Sequence, residues 1–398
     1  MYKKMFSFYK FNPDVVYFDT AATALKLDEA INATTNYYKK NGMNIDRGVY
    51  NLSYEATQMY ENARLTIANY LNAEVEEIVF TKGTTEALNL VANSANLFLE
   101  KDDELITTEL EHNSSILPWI NKSKEIGFKI NYLPLTDDLK ITAENFQKAI
   151  SKKSKVLVIT HLSNVLGYIT PIKEIVEIAH KNKMIVILDS AQGAPRLKID
   201  VKELGIDFLA FSGHKFYGPT GIGVLYGEKN LLNKLSNFEV GGHMVDFVSK
   251  EEVIYKDIPH RFEAGTAPIA EAIGLGKAVE IIDKIGIEMI AKYELELAKY
   301  ALSKLQQIKG ITIHNNEVES GIISFNIDGV HPHDAASFYD MEKICLRAGT
   351  HCAHILMNKL GLEGGGLRIS FGFYNNKKEV DYFITATKKI VSYFKGVL

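Results

Sequence analysis

A chain of 398 residues with a formal net charge of −4, 46% hydrophobic and 24% charged residues has room for one large and one small domain, and it lacks the basic excess of a nucleic-acid binder. No run approaches the ~18 apolar residues of a membrane span, and the N-terminus lacks the apolar core and cleavage site of a signal peptide, so the expected location is the cytoplasm. Two cysteines, Cys345 and Cys352, are too few for a disulfide scaffold or a cysteine-based zinc site, which leaves either free for other chemistry.

In chain order, a short apolar segment over 15–22 ends in small and polar residues, and helices are expected over 27–40 and 54–71. Strands near 77–81, 105, 130–133, 155–160, 184–188, 208–211 and 223–226 then alternate with helices from Thr84 and Ser114 and over 172–180. Such alternation predicts a mostly parallel sheet. Between Gly241 and Gly265 it stops, in a segment that reads as irregular or hairpin. One long helical stretch over 269–305 leads to a C-terminal part with strands near 311–313, 321–327, 344–347 and 367–371, and helices from Asp334, Ala353 and Lys378. The expected fold is α/β: a large, mostly parallel domain over 15–268 and a smaller α+β domain made by 1–14 and 269–398.

Three stretches carry chemistry. Phe208-Leu-Ala-Phe211 reads as a buried strand that stops at Ser212, Gly213, His214 and Lys215. A lysine there, against an apolar wall at the carboxyl edge of a parallel sheet, loses hydration and becomes an amine fit for Schiff-base chemistry; taken alone it reads first as an ordinary surface lysine in a turn, and only its company elsewhere in the chain changes that. Asp189 ends a second apolar strand, where a carboxylate needs a cationic partner such as a protonated pyridine nitrogen. Phe80-Thr-Lys-Gly-Thr-Thr-Glu86 joins a strand to a helix start, with Gly83, Thr84 and Thr85 suited to one phosphate or, more plainly, to an N-cap. Lysine, acid and phosphate cup along one sheet edge describe a pyridoxal phosphate site. Two decoys fall away. Gly221-Ile-Gly223 with Gly227 has the wrong spacing for a dinucleotide fingerprint and reads as turn and strand, and His331-Pro-His-Asp334 reads as turn and cap rather than a metal site, so no metal is expected.

With these residues the chain is similar to class V aminotransferases of PLP fold type I (aspartate aminotransferase-like), and within them it resembles the cysteine desulfurases of the Suf branch. The resemblance runs through Tyr17-Phe-Asp-Thr-Ala-Ala22, Arg47-Gly-Val-Tyr-Asn-Leu-Ser53, Glu109-Leu-Glu-His-Asn113, His161-Leu-Ser-Asn-Val-Leu-Gly167, Asp189-Ser-Ala-Gln192, Ser212-Gly-His-Lys215, Arg261-Phe-Glu-Ala-Gly-Thr266 and Arg347-Ala-Gly-Thr-His-Cys-Ala353, and reaches Arg368. It implies that Lys215 binds pyridoxal 5'-phosphate covalently, that Asp189 meets its ring nitrogen and that His112 stacks on the ring with a catalytic role. It further implies Gln192 on the phenolate oxygen, Asn164 near that oxygen and the substrate, and Thr84, Thr85, Ser212 and His214 around the phosphate. Thr266 would reach the phosphate of a neighbouring subunit, which makes a homodimer the expected assembly; Arg368 would clamp the substrate carboxylate and Arg347 flank it.

Cys352 separates this reading from an ordinary aminotransferase. Free cysteines are usually small buried residues, and Ile344-Cys-Leu346 fits that for Cys345, whereas Cys352 lies in a polar turn with Gly349, Thr350, His351 and His354. The implied activity is conversion of L-cysteine to L-alanine with sulfur held as a persulfide on Cys352 for iron–sulfur cluster assembly, and delivered to an acceptor protein of SufE or SufU type. The alternatives are a selenocysteine lyase acting on L-selenocysteine, another class V aminotransferase or lyase, and a non-enzymatic scaffold that retains the cofactor. The chain departs from the branch at Thr350 and Tyr50, where histidines are common, and at Asp46 before Arg47; its short stretch from Cys352 to Arg368 favours the Suf branch over the Nif and Isc type.

Overall fold

The computed structural model describes residues 2–46 and 48–397, the last three of these by backbone alone; Arg47 of the Arg47–Ser53 motif lies outside the described residues. A seven-stranded sheet runs Ile78–Thr81, Gly223–Gly227, Phe208–Ser212, Ile185–Asp189, Ser154–Thr160, Glu104–Thr108, Lys129–Leu133, and Gly223–Gly227 runs against the direction the other strands share. Successive side chains of a strand point to opposite faces. Leu209 and Phe211 accordingly join one core with Val186 and Leu188, while Phe208 and Ala210 join another with Ile187. Helices Asn51–Leu71 and Ile269–Ile285 cover the first face and Thr84–Asn93 the second. Cover on both faces is why the central strands are continuous apolar runs rather than alternating ones.

The C-terminal part holds a four-stranded antiparallel sheet, in the order Ile311–Ile313, Ile322–Ile327, Gly366–Ser370, Arg347–Gly349. Its own core gathers Phe325, Leu367 and Ile369 with Tyr339 and Phe383 from the helices Pro332–Met341 and Lys377–Val397. The N-terminal segment serves both cores. Phe6 packs into the first, whereas Val16 and Phe18 pack into the second, where Val16–Tyr17 pairs in parallel with Ile344–Cys345.

Three local readings change. The helical stretch over 269–305 is two helices, Ile269–Ile285 and Ile287–Leu305, broken at Gly286, whose φ of 92° an L side chain rarely adopts. The strand expected over 344–347 is split, because Ile344–Cys345 pairs with Val16–Tyr17 and Arg347–Gly349 with Gly366–Ser370. A helix at Ala143–Ala149, capped by the Thr142 side chain accepting from Asn145 N, had no clear apolar period. The 241–265 segment contains the hairpin Val245–Val248 with Val253–Tyr255. Among the described residues no helix is long and apolar enough to cross a membrane.

Candidate active site

Parallel register brings strand ends together: Thr160 lies opposite Asp189, and Asp189 opposite Ala210, two residues before Ser212. The chain leaves Ser212 through the tight turn Gly213–Lys215, which turns Lys215 back over the sheet edge. A cleft of about 230 Å³ opens there, between this edge and the antiparallel sheet, and Lys215, Asp189, Arg368 and Cys352 all line it.

Asp189 is buried and accepts a hydrogen bond from Ala191 N (3.0 Å). Burial raises its pKa, opposed by that amide and by the Lys215 charge. Burial likewise lowers the Lys215 amine to about 8, against the pull of Asp189 and with the push of Arg368 and Arg196. His112 caps the helix Asn113–Ile126 through Nδ1, which accepts from Ser114 N (3.1 Å), so its ring proton sits on Nε2. Burial, then the charges of Lys215, Arg368 and Arg347, push its pKa down to about 4.

At the start of helix Thr84–Asn93, Thr84 N donates to Ser212 Oγ (2.8 Å), Thr84 Oγ1 lies 2.7 Å from the same oxygen, and Thr85 Oγ1 lies 2.8 Å from Ser114 Oγ. A Cβ on Gly223 would run into the Gly83 backbone, so these two glycines allow the helix start and the strand to close on each other. His214 also lines the cleft, held at about pKa 4 by burial and by Lys215 and Lys26; its carbonyl accepts from Lys26 Nζ (2.9 Å).

On the opposite wall, Arg368 pairs across the antiparallel sheet with Arg347. Its Nη1 donates to Asn164 O (2.9 Å) and its Nη2 to Asp19 Oδ1 (3.1 Å), and Asn164 Nδ2 donates to His351 O (2.9 Å). Burial lowers the Arg368 pKa to about 10, with Asp19 opposing. His351 and Cys352 both have φ near 55°, and Cys352 O accepts from Asn113 N (2.7 Å), tying the cysteine turn to the residue after His112.

All the expected site residues except Thr266 line this one cleft, including Gln192, Ser212 and Arg347. Thr266 is exposed in a loop outside it. Cys345 is half-buried in its strand, away from the cleft, and burial with Asp340 and Asp19 raises its thiol pKa. His331 caps Pro332–Met341 as its turn suggested. Sequence reasoning missed Asp19 as the partner of Arg368, although it lies inside the Tyr17–Ala22 stretch. It also missed the buried Glu111, which accepts from Thr108 Oγ1, Ser115 Oγ and Thr160 N, and Arg196 beside Gln192. Only proximity in space assigns these, since each is an ordinary charged residue in the sequence.

Residues 16–383 match the family described as aminotransferase class-V. The chain is 47% identical over 385 residues to a probable cysteine desulfurase of Halalkalibacterium halodurans, covering 96% of this chain and 95% of that one. Among solved structures it is similar to the cysteine desulfurase CsdA from Escherichia coli (TM-score 0.92, 36% identity, 98% of each chain). It is equally similar to a cysteine desulfurase from Thermococcus onnurineus NA1 (TM-score 0.92, 37% identity, 96% of each chain).

Proposed function

Because the chain belongs to the class V aminotransferase family, among its cysteine desulfurases, we propose that it converts L-cysteine to L-alanine and holds the released sulfur as a persulfide on Cys352. The observation that carries this reading is the presence of an amine, a guanidinium and a thiol, from Lys215, Arg368 and Cys352, on one cleft.

The family implies pyridoxal 5'-phosphate, and the cleft fits it. A buried carboxylate with an amide donor and a lysine for neighbours suits a protonated ring nitrogen at Asp189, and the helix start at Thr84 and Thr85 with Ser212 and His214 suits the phosphate. Lys215 would hold the group covalently, with His112 over the ring and Gln192 and Asn164 at its oxygen. Bound there, the cofactor supplies an electron sink for charge at the substrate α-carbon.

The side chains divide the remaining work. Arg368, fixed by Asn164 and Asp19, would take the substrate carboxylate, with Arg347 beside it. Lys215, with its pKa near 8, has a neutral fraction at physiological pH able to move the α-proton at Nζ. His112 stays neutral there and adds no charge against that step. Cys352 Sγ attacks the substrate sulfur: the S–S bond forms, the C–S bond breaks, the β-carbon keeps the electron pair and takes the proton that Cys352 gives up, and the α-carbon regains its proton from Lys215 Nζ to give alanine.

Helix His354–Lys359 and a short turn lead into strand Gly366–Ser370, a compact arrangement that supports the Suf branch, and the proposal extends with it to iron–sulfur assembly in the cytoplasm and an acceptor of SufE or SufU type. A homodimer in which Thr266 reaches the neighbouring subunit's phosphate is supported by the exposed apolar side chains of the hairpin Val245–Val248 and Val253–Tyr255. The test is to incubate the cofactor-loaded protein with L-cysteine and a thiol reductant while measuring alanine and sulfide. Equal release of both is expected; keto acid in place of alanine, or no product, would overturn the reading.

A further inference from the structure

The side-chain amide of Gln192 has only one orientation that its surroundings accept. One end lies 2.9 Å from Arg196 Nη1 and the other 2.7 Å from Ala21 O. A guanidinium only donates and a carbonyl only accepts, so Oε1 must face Arg196 and Nε2 must face Ala21. Nε2 carries two hydrogens; Ala21 takes one, and the other is left for the cleft that Gln192 lines.

Arg196 is itself held. Its Nη1 also donates to Gln192 O (3.3 Å), and its Nε makes an ion pair with Glu294 Oε2 (3.2 Å). Both charged side chains are almost wholly buried, at 3% and 0% exposure, so neither could be there without the other. Glu294 rides on helix Ile287–Leu305 and accepts on Oε1 from the Tyr217 hydroxyl (2.8 Å), two residues past Lys215. A continuous set of contacts thus runs from a C-terminal helix, through Glu294 and Arg196, to a donor at the cleft.

We infer that Arg196, neutralised by Glu294, is a positioning residue that locks the Gln192 amide with its nitrogen toward the cofactor's ring oxygen. The inference rests on the reading of the cleft as a pyridoxal phosphate site. A donor on that oxygen lets it keep its negative charge without sharing the neighbouring proton, so losing the donor makes the proton harder to remove. Without Arg196 only the bond to Ala21 O opposes a turn of the amide, so its carbonyl faces inward for part of the time and the donor is then lost.

The readout is the pH midpoint of the visible absorbance of the cofactor-loaded protein without substrate. Gln192→Ala is expected to raise it by about one unit, a tenfold change in proton affinity. The paired change Arg196→Met with Glu294→Gln leaves no unpaired buried charge and is expected to raise it in the same direction, with no further rise when added to Gln192→Ala. Should the pair fail to fold, Arg196→Lys keeps the charge but cannot grip Gln192 and Glu294 together, and the same rise, absent on the Gln192→Ala background, is expected. An unchanged midpoint in the Arg196 variants, or an equal shift with and without Gln192, would overturn the inference. No response to Gln192→Ala would instead remove Gln192 from the ring oxygen, and with it the reading of the cleft on which the inference stands.

Discussion

Burial brings the Lys215 ammonium down to about 8 even though Asp189 pulls the other way, so loss of hydration outweighs the ion pair at this position. That shift has a signature in stability. With its folded pKa near 8 and an ordinary value of 10.5, Lys215 binds a proton less tightly in the fold than in the unfolded chain, so its contribution to stability rises with pH between those values. In cofactor-free protein, Lys215→Met is therefore expected to unfold at higher urea than the parent below pH 8, with the gap closing toward pH 10.5; a gap independent of pH would mean the lysine is not desolvated. The two thiols differ by place, since Cys352 lines the cleft and Cys345 does not. Cys352→Ser should retain the cofactor yet lose nearly all alanine formation and any protein-bound persulfide, while Cys345→Ser matches the parent; a sulfur adduct on Cys345 in the mass spectrum after one turnover would reverse the assignment. Lys215, Asp189 and Cys352 could be singled out because a lysine and an aspartate end apolar strands and a cysteine sits in a polar turn, but it took all of them together, with the resemblance, to set Lys215 apart from a surface lysine. Asp19, Glu111 and Arg196 were not, because a charged residue becomes unusual only when the fold buries it against a partner distant in sequence, such as Arg368 for Asp19 or Glu294 for Arg196.

The strands of the large sheet were read closely because burial on both faces leaves an uninterrupted apolar run between turn residues, as in Phe208–Ser212. The break at Gly286 was not, since a single glycine within a helical pattern is often tolerated. The split at Leu346 was equally hidden, because it depends on two partners that pair from opposite ends of the chain, Val16–Tyr17 and Gly366–Ser370. The Gly221-Ile-Gly223 stretch shows how two neighbouring glycines can serve different ends. Gly221 has φ 74° with open space around its α-carbon, so Gly221→Ala meets only backbone strain, about 1 kcal/mol. Gly223 opens a strand directly against Gly83, and a side chain there must push the start of helix Thr84–Asn93 away from Ser212. Gly223→Ala is expected to cost about 2–3 kcal/mol in stability and to loosen the cofactor, measured by its release on dialysis, whereas Gly221→Ala retains it. Equal retention in both would detach the helix start from phosphate binding.

At the scale of the whole molecule, the hairpin Val245–Val248 and Val253–Tyr255 is the least self-sufficient element. Phe247, Val248, Val253, Ile254 and Tyr255 are all exposed, and a two-stranded ribbon with apolar side chains open to water is marginal on its own. Phe238 and Val240, exposed nearby in sequence, extend the apolar surface, and Phe238 borders the outer mouth of the helix start beside Thr85. A second copy laid over this face would cover the hairpin and bring a loop such as the one bearing Thr266 to the phosphate end of the neighbouring cleft. Two variants separate the contributions. Phe247→Asp with Ile254→Asp places charges in the proposed contact and is expected to convert a dimer to monomers in sedimentation, with weaker cofactor retention if each cleft draws Thr266 from its neighbour as proposed. Thr266→Ala is expected to leave the dimer intact and to weaken retention alone, by about one hydrogen bond to a charged group, roughly tenfold in the dissociation constant. A monomeric parent, or a monomerised variant that keeps its cofactor as tightly as the parent, would show that each cleft is complete within one chain.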